Sequence, residues 1–535
     1  MVAHLVPLWA FRFFPSQDGP AHLANASILL DYGNPAHTAL RKYYVLNRTF
    51  TPNWVGHLML AAMMTRLPPL TAEKVFLSGY VVLFPLAIRY ALGAVRADAR
   101  FLAALGFPFV YSYPLHMGFY TFCYSLAMFW LVSGYWLRHR ERLGVRETVT
   151  MAAGGVLLYL AHPVSAVAVF VEVGLVAVYV ALSGVRRPRR REGSAGARTN
   201  IAPLTNAMVA LAPAGVLTLL FLLWNRQTHL SWEDSPRAGT LVKDLLSLQS
   251  LVSYSASEVW VARGVVVLFG VIMLYLVLRK QVPRALTFWN GYLVLAFAYA
   301  LIYLVGPTAI SSGSYLHERM MLFPFFALML SFAAYSYGRL ARHAIQAAAA
   351  ALAGVLLVIH SLAYRDLNGF LTEYVSVGPA LASNTTLLPI TFSQQGDVPG
   401  MRSLSSRINV FLNAGGYLAA ERHVVDLGNY EASQTRFFPT LFRSRLNPAE
   451  QLKYAPVDSA TGDLSAVPTA LLEYPQRTGG TIDYVLVWGA RADDRQRAVP
   501  RGIFRQLDEA YDVVYTSRPG GLARLYRRKG LRGPP

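Results

Sequence analysis

PVSAVAVFVEVGLVAVYVALSGV, residues 163–185, carries a single charged side chain, Glu172, and runs directly into Arg186-Arg187-Pro188-Arg189-Arg190-Arg191. An apolar helix of this length crosses a hydrocarbon core ~30 Å thick, and a basic cluster at one end marks the side retained in the cytoplasm. Working outward, further apolar blocks lie at residues 73–95, 101–113, 118–137, 149–160, 202–224, 262–278, 285–305, 320–337 and 344–362. Together with an apolar N-terminal segment they imply about eleven spans, several of them too short to cross unaided. The composition agrees, with 54% hydrophobic and 15% charged residues and a mean hydropathy of +0.35. These values exclude a soluble globular chain. The expected fold is therefore a polytopic α-helical membrane protein.

The formal net charge of +20 could suggest nucleic acid. However, many arginines fall in short loops between apolar blocks, where topology accounts for them, and no nucleic-acid partner is expected. The basic loops at 96–100, 138–142, 186–191, 279–280 and 339–342 all fall on one side of the membrane when the blocks are counted as above. The opposite, outer side then carries Asp18, His22, His116, His162, Glu233, Asp234, His317, Glu318 and Arg319. At the N-terminus, residues 2–10 are apolar but too few to span. Either residues 11–15 complete the helix with Arg12 snorkelling, or the true start lies upstream. Residues 53–67 are apolar, interrupted by His57 and Arg66, and read as a helix in or dipping into the interface.

From about residue 365 the pattern becomes mixed and soluble in character. Residues 387–392, 423–427, 481–488 and 512–516 read as strands, and 407–422 and 497–511 as helices. Arg518-Pro519-Gly520-Gly521 reads as a hairpin turn. The expected organisation is a transmembrane region at 1–364, with a first outer loop at about 13–72, followed by an extracytoplasmic α/β domain at 365–535. The lone Cys123 lies in an apolar block and can form no internal disulfide. Ala, Arg, Leu and Gly dominate, as in chains from high-GC bacteria, and the expected location is a bacterial inner (plasma) membrane.

The stretch Phe14-Pro15-Ser16-Gln17-Asp18-Gly19-Pro20-Ala21-His22-Leu23-Ala24-Asn25 follows the first apolar segment. Asp18 before Gly-Pro reads as a helix N-cap, held in one rotamer and kept ionised by helix N–H groups, with His22 one turn later on the same face. The alternative is a cap and an interfacial histidine without chemistry. Arg319 has the wrong sign for a helix N-terminus, so helix stability does not explain it. Snorkelling into lipid head groups, or pairing with Glu318 or another acidic side chain, is one account; bidentate binding of a phosphate, with His317 a secondary contact, is the other. His162 before Pro163 is a turn or a site residue, and Glu233-Asp234 is the rival acidic site. Glu172 is either a functional intramembrane acid or a hydrogen-bonded structural one. No Cys-His metal spacing, nucleophile elbow or phosphate-loop fingerprint occurs.

An acidic residue opening the first outer loop, an interfacial helix before the next span, about eleven spans and an α/β outer region resemble the type C (GT-C fold) glycosyltransferases. Protein O-mannosyltransferases and lipid A aminoarabinose transferases belong to that superfamily. The motifs carrying the resemblance are Gln17-Asp18-Gly19-Pro20-Ala21-His22-Leu23 and Tyr315-Leu316-His317-Glu318-Arg319-Met320-Met321-Leu322-Phe323-Pro324. The resemblance implies a polyprenyl-phosphate sugar donor, inverting transfer to a glycan, lipid or protein acceptor, and a catalytic carboxylate in the first outer loop. This chain has one carboxylate there where many members have an acidic pair. A divalent metal is accordingly not supported by a paired acidic motif, and no cofactor is expected.

The expected activity is thus a hexosyl- or pentosyltransferase. Asp18 and His22 would act in catalysis, and Arg319, His317, Glu318 and His162 would hold the lipid phosphate. A multi-span transporter or a non-catalytic protein of envelope assembly are the other readings of many spans and buried charges.

Overall fold

The computed structural model describes residues 1–49, 51–141, 143–183, 202–224, 230–231, 236–281, 287–310, 313–396, 404–433, 437–458 and 463–532. Among these, five helical stretches are long and apolar enough to cross a membrane: Pro69–Val95, Pro163–Ser183, Thr205–Leu223, Glu258–Leu278 and Arg339–Ala380. Trp54–Met64 is apolar but short. At 1.5 Å per residue its 11 residues cannot span.

The helix Pro69–Val95 packs on Tyr120–His139. Phe76, Tyr80 and Phe84 recur every fourth residue and form one fully buried stripe. That stripe meets Tyr124, with ring centroids 4.6 Å from Phe76, and Phe326, 6.0 Å from Phe84. Glu172 lies inside the helix Pro163–Ser183, and both its oxygens are used: Ser133 donates at 2.5 Å and Tyr292 at 3.0 Å. It is a tie between neighbouring helices, and the functional alternative finds no support in these contacts.

Two apolar blocks are not the continuous α-helices that their composition suggests. Residues 97–109 form a 3-10 helix followed by the four-residue helix Tyr113–His116. Pro108 and Pro114, which lack an N–H, interrupt the ladder there. The block at 320–337 is split between Leu316–Met320 and Phe323–Phe332 because Pro324 fits only the first turn of a new helix. The composition change at 365 falls inside the helix Arg339–Val375, which continues past it.

Beyond that helix a five-stranded sheet forms in the order Tyr511–Thr516, Ala523–Arg528, Tyr484–Trp488, Thr386–Thr391, Val425–Asp426. The first two pairings are antiparallel and the last two parallel. The four expected strands, the hairpin and the helix Ala498–Ala510 are all present. The helix expected at 407–422 is only Gly415–Arg422; ahead of it the Asn409 backbone N–H donates to Gln17 Oε1 and the Asn413 side chain to Asp18. A second hairpin, Tyr454–Asp458 with Asp463–Pro468, was not expected.

Side chains alternate across the sheet with period two. Leu388, Ile390, Val485, Val487 and Tyr526 enter one core with Ile28, Leu40, Tyr43 and Tyr44 of the first loop. Leu387, Tyr484, Leu486, Trp488 and Leu525 enter a core continuous with the helical region. The two ends of the chain are also joined directly, since Tyr44–Leu46 pairs antiparallel with Thr440–Phe442.

The closest approach between the halves is glycine-dependent. A Cβ on Gly416 would lie 2.2 Å from the Pro20 carbonyl oxygen, a backbone atom that cannot rotate away. Gly416→Ala is therefore expected to destabilise the protein by about 1–3 kcal/mol or more. This should appear as a lowered thermal unfolding midpoint in detergent solution; an unchanged midpoint would show that the two halves can separate at this contact without cost.

Candidate active site

Asp18 occupies the N-cap position of the helix Gly19–Asp31, with Pro20 in the first turn, but its carboxylate makes no capping hydrogen bond. The expectation that helix N–H groups hold it is overturned. Its side chain turns away and accepts from Asn413 Nδ2 at 2.9 Å and, more weakly, from Gln17 Nε2 at 3.3 Å. Burial pushes the Asp18 carboxyl up to about 6; the facing Tyr430 hydroxyl opposes this and the nearby Glu431 charge adds to it.

The backbone around Asp18 is pinned by the opposing loop. Gln17 N–H donates to the His116 carbonyl and Asp18 N–H to the Met117 carbonyl, each at 3.0 Å. The next residue, Gly118, has φ +84°, and a Cβ there would lie 2.7 Å from the Asp18 nitrogen. Only glycine fits both the left-handed backbone and the close approach.

Asp18 opens onto a cavity of about 590 Å³ whose walls include His22, His162, Arg319, Asn413 and Tyr430. That size suits a ligand of tens of atoms. Four of the residues singled out from sequence, in three separate segments, therefore share one cavity. Arg319 is 9% exposed and lies with its guanidinium carbon 4.1 Å from the Phe119 ring centroid. It donates to the Ser314 carbonyl, its Nε has no hydrogen-bond partner, and among the described residues it forms no ion pair. The snorkelling and Glu318-pairing accounts are thus overturned: the group is buried, and Glu318 lies near Arg407 instead, at 3.9 Å. An unpaired buried guanidinium on a cavity wall provides a place for an anion.

His162 accepts from its own helix start, Val164 N–H to Nδ1 at 3.3 Å. Burial, and then the nearby Arg319 charge, hold its imidazole well below the ordinary value, so it lines the cavity as a neutral ring. His317 and Glu318 are not cavity residues. His317 Nε2 lies 3.0 Å from the Gly306 carbonyl and serves the loop. Glu233 and Asp234 lie outside the described residues.

Behind Asp18 is a second constellation that the sequence did not announce. His22 Nδ1 lies 2.9 Å from Glu431 Oε1 and 3.1 Å from His57 Nε2, and His57 Nε2 lies 3.1 Å from Glu431 Oε2. Asn25 Nδ2 donates to Glu431 Oε2 at 2.5 Å. Burial opposes ionisation of Glu431, but the adjacent His22 and His57 charges outweigh it and hold the carboxyl at about 2. For His22, burial lowers and the Glu431 charge raises the imidazole, with a net upward displacement.

Sequence reasoning missed His57, Glu431, Tyr430 and Asn413. His57 was visible as a polar interruption in an apolar helix, and the adjacent Tyr430-Glu431 pair carries no spacing signal at all. Comparison of the sequence with protein-family models and with curated proteins returned no match.

Proposed function

We propose that the cavity is the active site of a membrane glycosyltransferase that moves a sugar from a polyprenyl phosphate to an acceptor hydroxyl at the outer membrane face. The observation that carries this reading is the sharing of one cavity by a buried carboxylate, Asp18, and a buried guanidinium, Arg319, that has no carboxylate partner among the described residues. Group transfer from a phosphate needs those two functions, a base for the incoming hydroxyl and a cation for the departing phosphate.

In this mechanism Asp18 takes the proton of the acceptor hydroxyl as its oxygen attacks the anomeric carbon. The bond from that carbon to the phosphate oxygen breaks with its electron pair going to the phosphate, and the anomeric configuration inverts. Arg319, held flat by stacking on Phe119, receives the phosphate's growing charge through its planar fork. The neutral His162 ring and Asn413 offer hydrogen bonds to sugar hydroxyls. Both partners, a lipid-linked donor and a glycan, lipid or protein acceptor, belong to this proposal. So do the full set of about eleven spans and a bacterial inner membrane with residues beyond 375 on its outer side. A panel of polyprenyl-phosphate sugars incubated with the purified protein tests the reading; consumption of none of them, with several acceptors present, would overturn it.

Asp18→Asn keeps the shape and the Asn413 contact but cannot take a proton. Turnover is expected to fall ~10²-fold or more. The thermal midpoint should stay level or rise, because the buried carboxylate is ionised at a cost. Turnover within threefold of the parent would remove Asp18 from the role of base.

Arg319→Lys retains charge but loses both the fork and the ring stacking, so donor KM should rise at least tenfold. Arg319→Ala should nearly abolish donor use. Equal donor affinity in the alanine variant, measured by binding of the lipid-linked sugar, would reject the phosphate role.

A further inference from the structure

We propose that His22, His57 and Glu431 form a binding site for a divalent transition-metal ion of the zinc class. The inference stands on the geometry of these three side chains and needs no assumption about glycosyl transfer.

The distances come first. His22 Nδ1 and His57 Nε2 lie 3.1 Å apart, and each lies 2.9–3.1 Å from one of the two Glu431 oxygens, Oε1 for His22 and Oε2 for His57. Ligands at ~2.0–2.1 Å from one ion are separated by roughly 3.0–3.4 Å, depending on whether the angle between them is square or tetrahedral. The cluster therefore has the spacing of a coordination shell, or is a few tenths of an ångström short of it. All three side chains are buried, with Glu431 and His57 fully inaccessible.

The proton positions come second, and they point the same way. His22 Nε2 lies 2.7 Å from the Gly118 carbonyl and His57 Nδ1 lies 2.9 Å from the Asn53 carbonyl. A carbonyl only accepts, so both of these ring nitrogens carry the hydrogen. In the neutral rings the lone pairs are then on His22 Nδ1 and His57 Nε2, the two atoms that face each other and the carboxylate. Lone-pair donors converging in a dry space need a positive charge between them, which a proton on an imidazole supplies in the metal-free site and a metal ion can supply in its place. This fixing of the far nitrogen by a backbone carbonyl is also the usual support around a metal-bound histidine.

The carboxylate completes the set. Asn25 orients Oε2 at 2.5 Å, while the buried Oε1 faces only His22 Nδ1, at 2.9 Å. Two imidazoles and one carboxylate without thiolate suit zinc, and also manganese or iron in the divalent state. Three protein ligands leave a position open. Because His22 also lines the Asp18 cavity, an ion here would stand at the cavity wall.

A second group, Asp31, His37 and His423, offers a comparison. It is only partly buried, and its Asp31-to-His37 distance is 3.8 Å. It lacks the carbonyl supports and serves as the internal control.

The test uses the full-length protein in detergent, stripped with EDTA and then dialysed against zinc or cobalt. Metal is counted by mass spectrometry and cobalt coordination is read from its visible absorption. About one equivalent should be retained per chain, with cobalt bands of nitrogen and oxygen ligation and a thermal midpoint that rises with added metal. His57→Ala combined with Glu431→Gln should lower retention at least tenfold. Asn25→Ala should weaken affinity about 10- to 100-fold, and His423→Ala should leave retention unchanged. No stoichiometric uptake by the wild type, equal uptake by the double variant, or loss of metal in His423→Ala would each overturn the site. If the double variant does not fold, the cobalt spectrum of the wild type decides alone, and absence of imidazole ligation overturns the proposal.

Discussion

A carboxylate with no solvent exposure cannot remain charged unless the chain surrounds it with compensating groups. Glu431 is such a carboxylate, and its compensation comes from His22, His57 and Asn25, more than 370 residues earlier in the chain. The arrangement of the site depends on this contact. It seats the short helix Tyr430–Ser433 against the helix that follows Asp18, and it places Tyr430 and Asn413 on the wall facing the carboxylate. The strand pair Tyr44–Leu46 with Thr440–Phe442 reinforces the same seam through backbone hydrogen bonds.

The cavity separates its charges. Asp18 stands at one part of the wall, where burial leaves its proton affinity high in spite of the hydrogen bonds it accepts. Arg319 stands at another, fixed by a ring and a carbonyl that do not neutralise it. In a low-dielectric space such a pair exerts a field on whatever lies between them that the same residues would not exert in water. Burial in this part of the protein thus has an electrostatic consequence as well as a packing one.

Much of this was legible in the residues. Apolar length fixed the class, and alternating runs near 387–392 and 484–488 located the central strands. Asp18 and Arg319 stood out because each is a charge at a helix start, one in a favoured and one in a disfavoured place. What stayed hidden was hidden for physical reasons. Hydropathy does not register the hydrogen-bond break that splits the block at 320–337, and Pro456 disguises Tyr454–Asp458 as a turn. Asp18 reads as a cap locally, yet its partner Asn413 lies 395 positions away, and no local rule can see such a competitor. Glu431 is one acid among 29 until the fold brings two imidazoles to it.

The joining of first loop to last third also sets an order of events in biosynthesis. His22 leaves the ribosome roughly 400 residues ahead of Glu431, which at ~5–20 residues per second is an interval of about 20–80 s. Throughout that interval Asp18, His22 and His57 have no opposite wall and stay hydrated. The cavity comes into being only when the nascent chain is nearly finished. A polypeptide interrupted before residue 431 lacks Glu431, Tyr454 and the wall they help to build, so the closed cavity is reserved for chains whose synthesis has all but ended.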